Sequence, residues 1–287
     1  MNAPASRAPA AAAPPATPGR AAPWKVLVVC LPLPFLFAET VATLWSVWLS
    51  NPNYSHGLLV PPIAAVLVWA RRKELRRLVS RPSAWGAPLV AAGVGLHVFG
   101  IRGEVTFLQG YGALTVLAGL ILHFGGWTWL RRLAFPLAFL AFMLPAPPLL
   151  MNQISFELKL LASRLSGAVL DGIGIPVWRN GAVLYLPAGP LAVENPCSGL
   201  RSLLALVALG ALMARMGDAA PWKRVALFAA AWPAAIAANM FRVVSLGLVA
   251  TFHSLEFAVG RAHDVLGFVI FGVALILLEG VRRVLRW

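Results

Sequence analysis

Residue types able to carry acyl transfer recur at helix-compatible spacing in the second half of the chain. Cys197 lies in Glu194-Asn195-Pro196-Cys197-Ser198-Gly199-Leu200-Arg201. It follows a proline at the expected start of a helix, where the helix dipole favours a thiolate, and Arg201 stands one turn further on as a cation with the same effect. Arg242 lies inside the apolar stretch around Asn239-Met240-Phe241-Arg242. An ionisable group within a membrane span costs at least about 2.5–3.5 kcal/mol, so it is a functional candidate by default, the alternative for Arg242 and Arg201 being that they snorkel to outer headgroups. Asn239, three residues before Arg242, shares its helical face. His263, followed by Asp264, opens the next apolar stretch, and His56 stands in Asn53-Tyr54-Ser55-His56-Gly57. A thiol nucleophile, a proton carrier and a cation for developing negative charge are the parts of a covalent acyl transfer.

The elements that must position these groups are membrane helices. Of 287 residues 60% are hydrophobic and 12% charged, where soluble domains carry about 25% charged residues. The mean hydropathy is +0.79. That leaves too little polar surface to solvate a globule, so a water-soluble enzyme is excluded. Residues 1–23 hold ten Ala and six Pro and read as a disordered tail. From Trp24 onward the chain is a single multi-pass domain, with apolar spans expected near 25–48, 57–70, 85–101, 105–125, 133–150, 198–214, 225–250 and 264–281. Proline breaks such as Leu31-Pro32-Leu33-Pro34 and Pro61-Pro62 are tolerated in such helices. The fold class is therefore an all-α integral membrane protein of about eight transmembrane helices.

The net charge of +14 would suggest nucleic acid in a soluble chain, but here it orients the spans. Basic residues cluster in every second connection: Arg71 to Arg81, Arg131 and Arg132, Arg215 to Arg224, and both ends. The positive-inside rule makes that side cytoplasmic, with eight crossings and both termini inside. Residues 151–196 then form the one long external connection. Asn152 to Leu170 shows apolar residues at helical spacing with Glu157, Lys159 and Arg164 between them, as in an amphipathic interfacial helix. Val177 to Pro187 contains Asn180-Gly181 between β-forming residues, which predicts a short hairpin. This cap leads into Cys197. In that topology Cys197, Arg242 and His263 come from three helices at one depth, near the outer face.

Pro196-Cys197-Ser198-Gly199-Leu200-Arg201, Asn239-Met240-Phe241-Arg242 and His263 resemble the exosortase/archaeosortase family, and Tyr54-Ser55-His56-Gly57 before a basic loop is similar to its N-terminal part. The resemblance covers roughly residues 40–285. It implies a multi-pass bacterial plasma-membrane transpeptidase that processes exported proteins bearing a C-terminal PEP-CTERM type sorting signal and one transmembrane helix. By resemblance Cys197 is the nucleophile, and Arg242 and His263 complete the site. Arg201, Asn239, Glu194 and His56 are possible supporting residues, and no cofactor or metal is implied. The expected partners are those exported proteins and membrane lipids, with no nucleic acid. Other readings are a transporter or flippase that uses Arg242 to bind an anion, and a non-catalytic subunit of a polysaccharide export machine.

Overall fold

A computed structural model describes residues 31–193, 200–217 and 219–285, with the backbone alone for His263 and Asp264. Helix α1 (Leu33–Ser50) is joined by a 3-10 turn (Pro52–Leu58) to α2 (Val60–Ala70). The short basic α3 (Arg72–Arg77) precedes an antiparallel pair, α4 (Gly86–Arg102) and α5 (Thr106–Gly125). Helix α6 (Trp127–Phe139) runs on as a 3-10 turn to Met143, and α7 spans Pro148–Gly172. Three short strands follow: β1 (Trp178–Asn180), β2 (Val183–Leu186) and β3 (Gly189–Ala192). Then come α8 (Leu200–Met216), α9 (Pro221–Phe252), a π-helical turn (Ala258–Ala262) and α10 (His263–Val284).

Among the described residues, four helices are long and apolar enough to cross a membrane: α1, α5, α9 and the Val265–Val284 part of α10. The α6 and α7 segments form a fifth candidate only if their pair, bent by 78°, is one span. The other expected spans are helical but shorter. The 11 residues of α2 extend only about 16 Å at 1.5 Å per residue, against a hydrocarbon core of about 30 Å. The bundle exterior is apolar, with Phe35 and Phe268 each 83% exposed, as expected of a surface that meets lipid. The chain is a multi-pass membrane protein.

Two expectations need correction. Hydropathy predicts the fifth span across 133–150, but the helix stops at Met143 and a new one starts at Pro148. Leu144-Pro145-Ala146-Pro147 explains the break, because each proline disfavours helical backbone in the residue before it. The amphipathic helix accordingly begins at Pro148, ahead of the expected Asn152. The cap also holds a third strand beyond the predicted hairpin, in the antiparallel order β1-β2-β3. Asn180 pairs with Val183, which makes Gly181-Ala182 the central turn residues. Gly181 has φ +59°, the first-position geometry that a II′ turn takes from glycine.

Packing explains how these elements hold still. Gly86, Gly93 and Gly100 recur every seven residues on α4 and face α5. A Cβ at Gly93 would lie 2.7 Å from the Val116 backbone nitrogen, and one at Gly112 would lie 2.7 Å from that of His97. Such close backbone approach drives helix association where lipid replaces water. His97 is fully buried; its Nδ1 is 3.1 Å from the Gln109 carbonyl and its Nε2 is 3.1 Å from the Leu36 carbonyl. Gln109 donates to the Gly100 carbonyl and accepts from Thr40. This polar group ties α1, α4 and α5 together. On the cap, Leu184, Leu186 and Leu191 point inward on alternate strand positions and bury against Leu170, Val243 and Leu246. The sheet is thus seated on α7 and α9, directly ahead of α8.

Candidate functional site

Helix α9 carries Arg242 ten residues before its end at Phe252, about 15 Å along the axis. Arg242 is 6% exposed and Asn239, a turn earlier, is also buried. Arg242 is therefore enclosed by protein rather than reaching outward along the helix to headgroups. The backbone beneath it is braced from the cap, since Ser166 of α7 donates to the Met240 carbonyl. Gly247 admits Leu170 at 2.7 Å from the position of a Cβ, so α7 packs close against the same stretch of α9.

Arg242 lines a cavity of 940 Å³ with Ser55, His56, Arg201, Ser202 and Gly267. The polar groups gather where α8 begins. From there the walls become apolar, with Ile63, Phe139 and Leu212. Leu212 lies eleven residues along α8 from Arg201, about 16 Å deeper. Phe268 belongs to the lining although it is largely exposed, so the cavity reaches the outer flank of α10. Arg242 approaches α10 at Gly267, where a Cβ would lie 3.8 Å from Nη2, an ordinary contact. A space of this size with a cationic, hydroxyl-bearing head and an apolar body suits a peptide segment whose apolar part stays in the membrane.

His56 reaches this space from the 3-10 turn between α1 and α2. Its Nε2 lies 3.1 Å from the Phe142 carbonyl and donates to it. Two neighbours secure the same break in the chain: Trp48 donates to the Met143 carbonyl at 2.8 Å, and the Tyr54 hydroxyl accepts from the Ala146 amide at 3.2 Å. Gly57 has no room for a side chain, since a Cβ would meet the Trp48 indole at 2.5 Å. Burial pushes His56 below the ordinary imidazole range, against the partial pull of the Phe142 carbonyl. Nδ1 is buried with no well-aligned hydrogen bond among the described residues, although the Asn53 backbone near the ring adds to the pull of the Phe142 carbonyl. A neutral ring that donates from Nε2 leaves Nδ1 as an acceptor.

Of the residues singled out in the sequence, the structure brings Arg242, Arg201 and His56 to one cavity. Asn239 lies beside them on α9. His263 is the first residue of α10, one turn before Gly267 on the same helical face; its side chain lies outside the description. Cys197 and Glu194 fall outside the described residues, between β3 and α8. His253 stacks on Phe257 at 4.7 Å, away from the cavity. Ser55, Ser202 and Gly267 were not anticipated. Their neighbours in the sequence could have found them: Ser55 adjoins His56, Ser202 adjoins Arg201, and Gly267 follows His263 by one turn. Among the described residues, no three of His, Cys, Asp or Glu come together as a metal-binding group.

The model of the transmembrane exosortase family matches residues 48–280. The chain belongs to this family. No curated protein and no solved structure matches it. The exosortase match begins at Trp48, which anchors the His56 turn, and ends at Gly280 in α10. It therefore contains every element that lines the cavity, together with the segment carrying Cys197. Membrane-embedded exosortases act on exported proteins that bear sorting signals.

Proposed function

We propose that this exosortase is a cysteine transpeptidase or endopeptidase that cleaves a C-terminal PEP-CTERM type sorting signal at the outer face of the bacterial inner membrane. The observation that carries the reading is the buried Arg242 in a cavity shared with Arg201 at the head of α8. Cys197 precedes Arg201 by four residues, so an extended chain keeps the two within about 14 Å. The topology that goes with this reading has eight crossings, both termini cytoplasmic and the cavity head outside, because the basic loops lie at the other end of the helices.

In the proposed reaction the Cys197 thiolate attacks the scissile carbonyl, and the carbonyl electrons move onto oxygen. The Arg242 guanidinium stabilises that oxyanion, with Arg201 beside it. His263 takes the thiol proton and returns it to the leaving amine as the C–N bond breaks, which leaves a thioester on Cys197. Water, or an amine or hydroxyl acceptor, then adds to the thioester and releases the thiol. The released C-terminal piece keeps its transmembrane helix, and the mature protein leaves for the surface, in keeping with a link to exopolysaccharide. Glu194, Asn239 and His56 are the available groups to orient these three.

Thiol labelling tests the reading. A membrane-impermeant alkylator should modify Cys197 and stop processing of a reporter with a sorting signal. Cys197→Ala should insert normally and process nothing. Normal processing by Cys197→Ala, or full activity after complete Cys197 labelling, would rule the proposal out.

A further inference from the structure

Toward the basic end of the bundle a second cavity, of 680 Å³, opens between α2, α3, α5 and α6. Its volume falls within the roughly 300–1,000 Å³ of small-molecule cavities. Its walls are aliphatic, with Val68, Ile121, Leu133 and Leu137, and Arg72 and Arg76 stand at its mouth. Val66 and Trp69 on α2 are exposed beside it, so the cavity faces the lipid side of the bundle.

The mouth is arranged for an anion. Arg72 and Arg76 are four residues apart on one face of α3, where like charges repel unless an anion lies between them. Leu75 between them is buried and lines the cavity, which pins that face inward. The one acid of α3, Glu74, is engaged by Arg132 at 2.7 Å, and neither Arg72 nor Arg76 has an ion-pair partner among the described residues. Arg72 is already held in place: its guanidinium lies 3.8 Å over the Trp69 ring, and its Nη1 donates to the Trp69 carbonyl at 3.0 Å. Trp129 also lines the cavity, and its buried Nε1 has no hydrogen-bond acceptor among the described residues. Paired tryptophans at this level match the aromatic belt of a membrane interface.

We infer that this cavity binds an anionic membrane phospholipid, with an acyl chain between α2, α5 and α6 and the phosphate between Arg72 and Arg76. The occupant is a lipid rather than free phosphate because the body of the cavity below the arginines is aliphatic and suits an acyl chain, and an anionic rather than a zwitterionic lipid because both mouth groups are cations. The inference is independent of the acyl-transfer reading, since the residues it uses belong to neither the cavity of Arg242 nor the Cys197 segment.

The test uses the full chain purified in detergent and titrated with phosphatidylglycerol, with phosphatidylcholine of the same acyl chains, and with inorganic phosphate. Retained lipid is counted by native mass spectrometry, and the unfolding temperature is read alongside. Phosphatidylglycerol should stay bound and raise the unfolding temperature, with phosphatidylcholine at least about tenfold weaker. Arg72→Gln with Arg76→Gln should weaken phosphatidylglycerol by about tenfold or more. Ala65→Trp, on the exposed rim of the cavity, should block it with both arginines intact. Arg283→Gln, whose side chain is 80% exposed near the end of α10, should change nothing. Equal binding of the two lipids, the full shift from inorganic phosphate, or arginine variants no worse than Arg283→Gln would overturn the inference.

Discussion

The contact between Gly267 and Arg242 allows a graded test of whether the guanidinium must stay where it is. A Cβ at Gly267 would sit 3.8 Å from Arg242 Nη2, an ordinary van der Waals separation. Gly267→Ala therefore adds a methyl group without moving the arginine, and in a helix interior it should stabilise the fold by about 0.5–1 kcal/mol. Gly267→Leu goes further. Its Cγ extends about 1.5 Å beyond Cβ, so a rotamer turned into the cavity brings carbon well inside contact distance of Nη2 and forces the guanidinium aside by about 1 Å. Misplacement on that scale costs on the order of 10²-fold in rate. The assay is processing of an exported reporter bearing a sorting signal, normalised to the exosortase in the membrane fraction. Alanine should process at close to the unsubstituted rate and leucine about a hundredfold more slowly, with equal amounts inserted. Leucine processing at the unsubstituted rate would refute the placement of Arg242 as a reacting-site group. Equal losses from alanine and leucine would refute the steric reasoning.

Three further outcomes are expected. Arg242→Lys should lose about 10²–10³ of processing, the cost of an absent oxyanion donor, because an ammonium lacks the planar fork of guanidinium; kinetics at matched membrane levels check this. Burial holds His56 below its unfolded value near 6.5, so the unfolded chain takes a proton first as pH falls. That stability is intact above about pH 6.5 and is lost as pH falls below it toward the folded value; the unfolding temperature in detergent should fall over this range, and His56→Gln should flatten the fall. Gly112→Val places a side chain 2.7 Å from the His97 backbone nitrogen and should destabilise the α4–α5 pair by about 1–3 kcal/mol, seen as a lower unfolding temperature with the cavity chemistry intact in surviving protein.

Much of the helical layout was legible because membrane helices are written in long apolar runs closed by Pro, Gly or basic residues. Helices α4, α5 and α8 start and stop within a few residues of where those signals stand. The reading failed where apolar character continued through a backbone break, as at Leu144 to Pro147. There hydropathy stays high while the prolines stop the helix. Strand β3 was missed because Gly189 and Pro190 are poor strand formers, yet an edge strand tolerates a proline that a central one would not. The seven-residue glycine spacing on α4 was present in the sequence and went unread; its meaning depends on which helix lies opposite. Arg242 was legible as a charge in an apolar run. His56 was legible only as a possible supporting residue through the family resemblance, because residues 186 positions apart are joined only by tertiary packing of the 3-10 turn against the broken end of α6.

The central claim is that acyl transfer runs through Cys197, and direct observation of the intermediate tests it most closely. The full chain in proteoliposomes would be mixed with a peptide carrying a sorting signal, quenched in acid and digested, and the Cys197 fragment weighed. A mass increase equal to the N-terminal portion of the peptide, removed by hydroxylamine and absent in Cys197→Ala, is the predicted result. Cleavage of the peptide with no adduct at Cys197 at any time point, and at the same rate in Cys197→Ala, would contradict it.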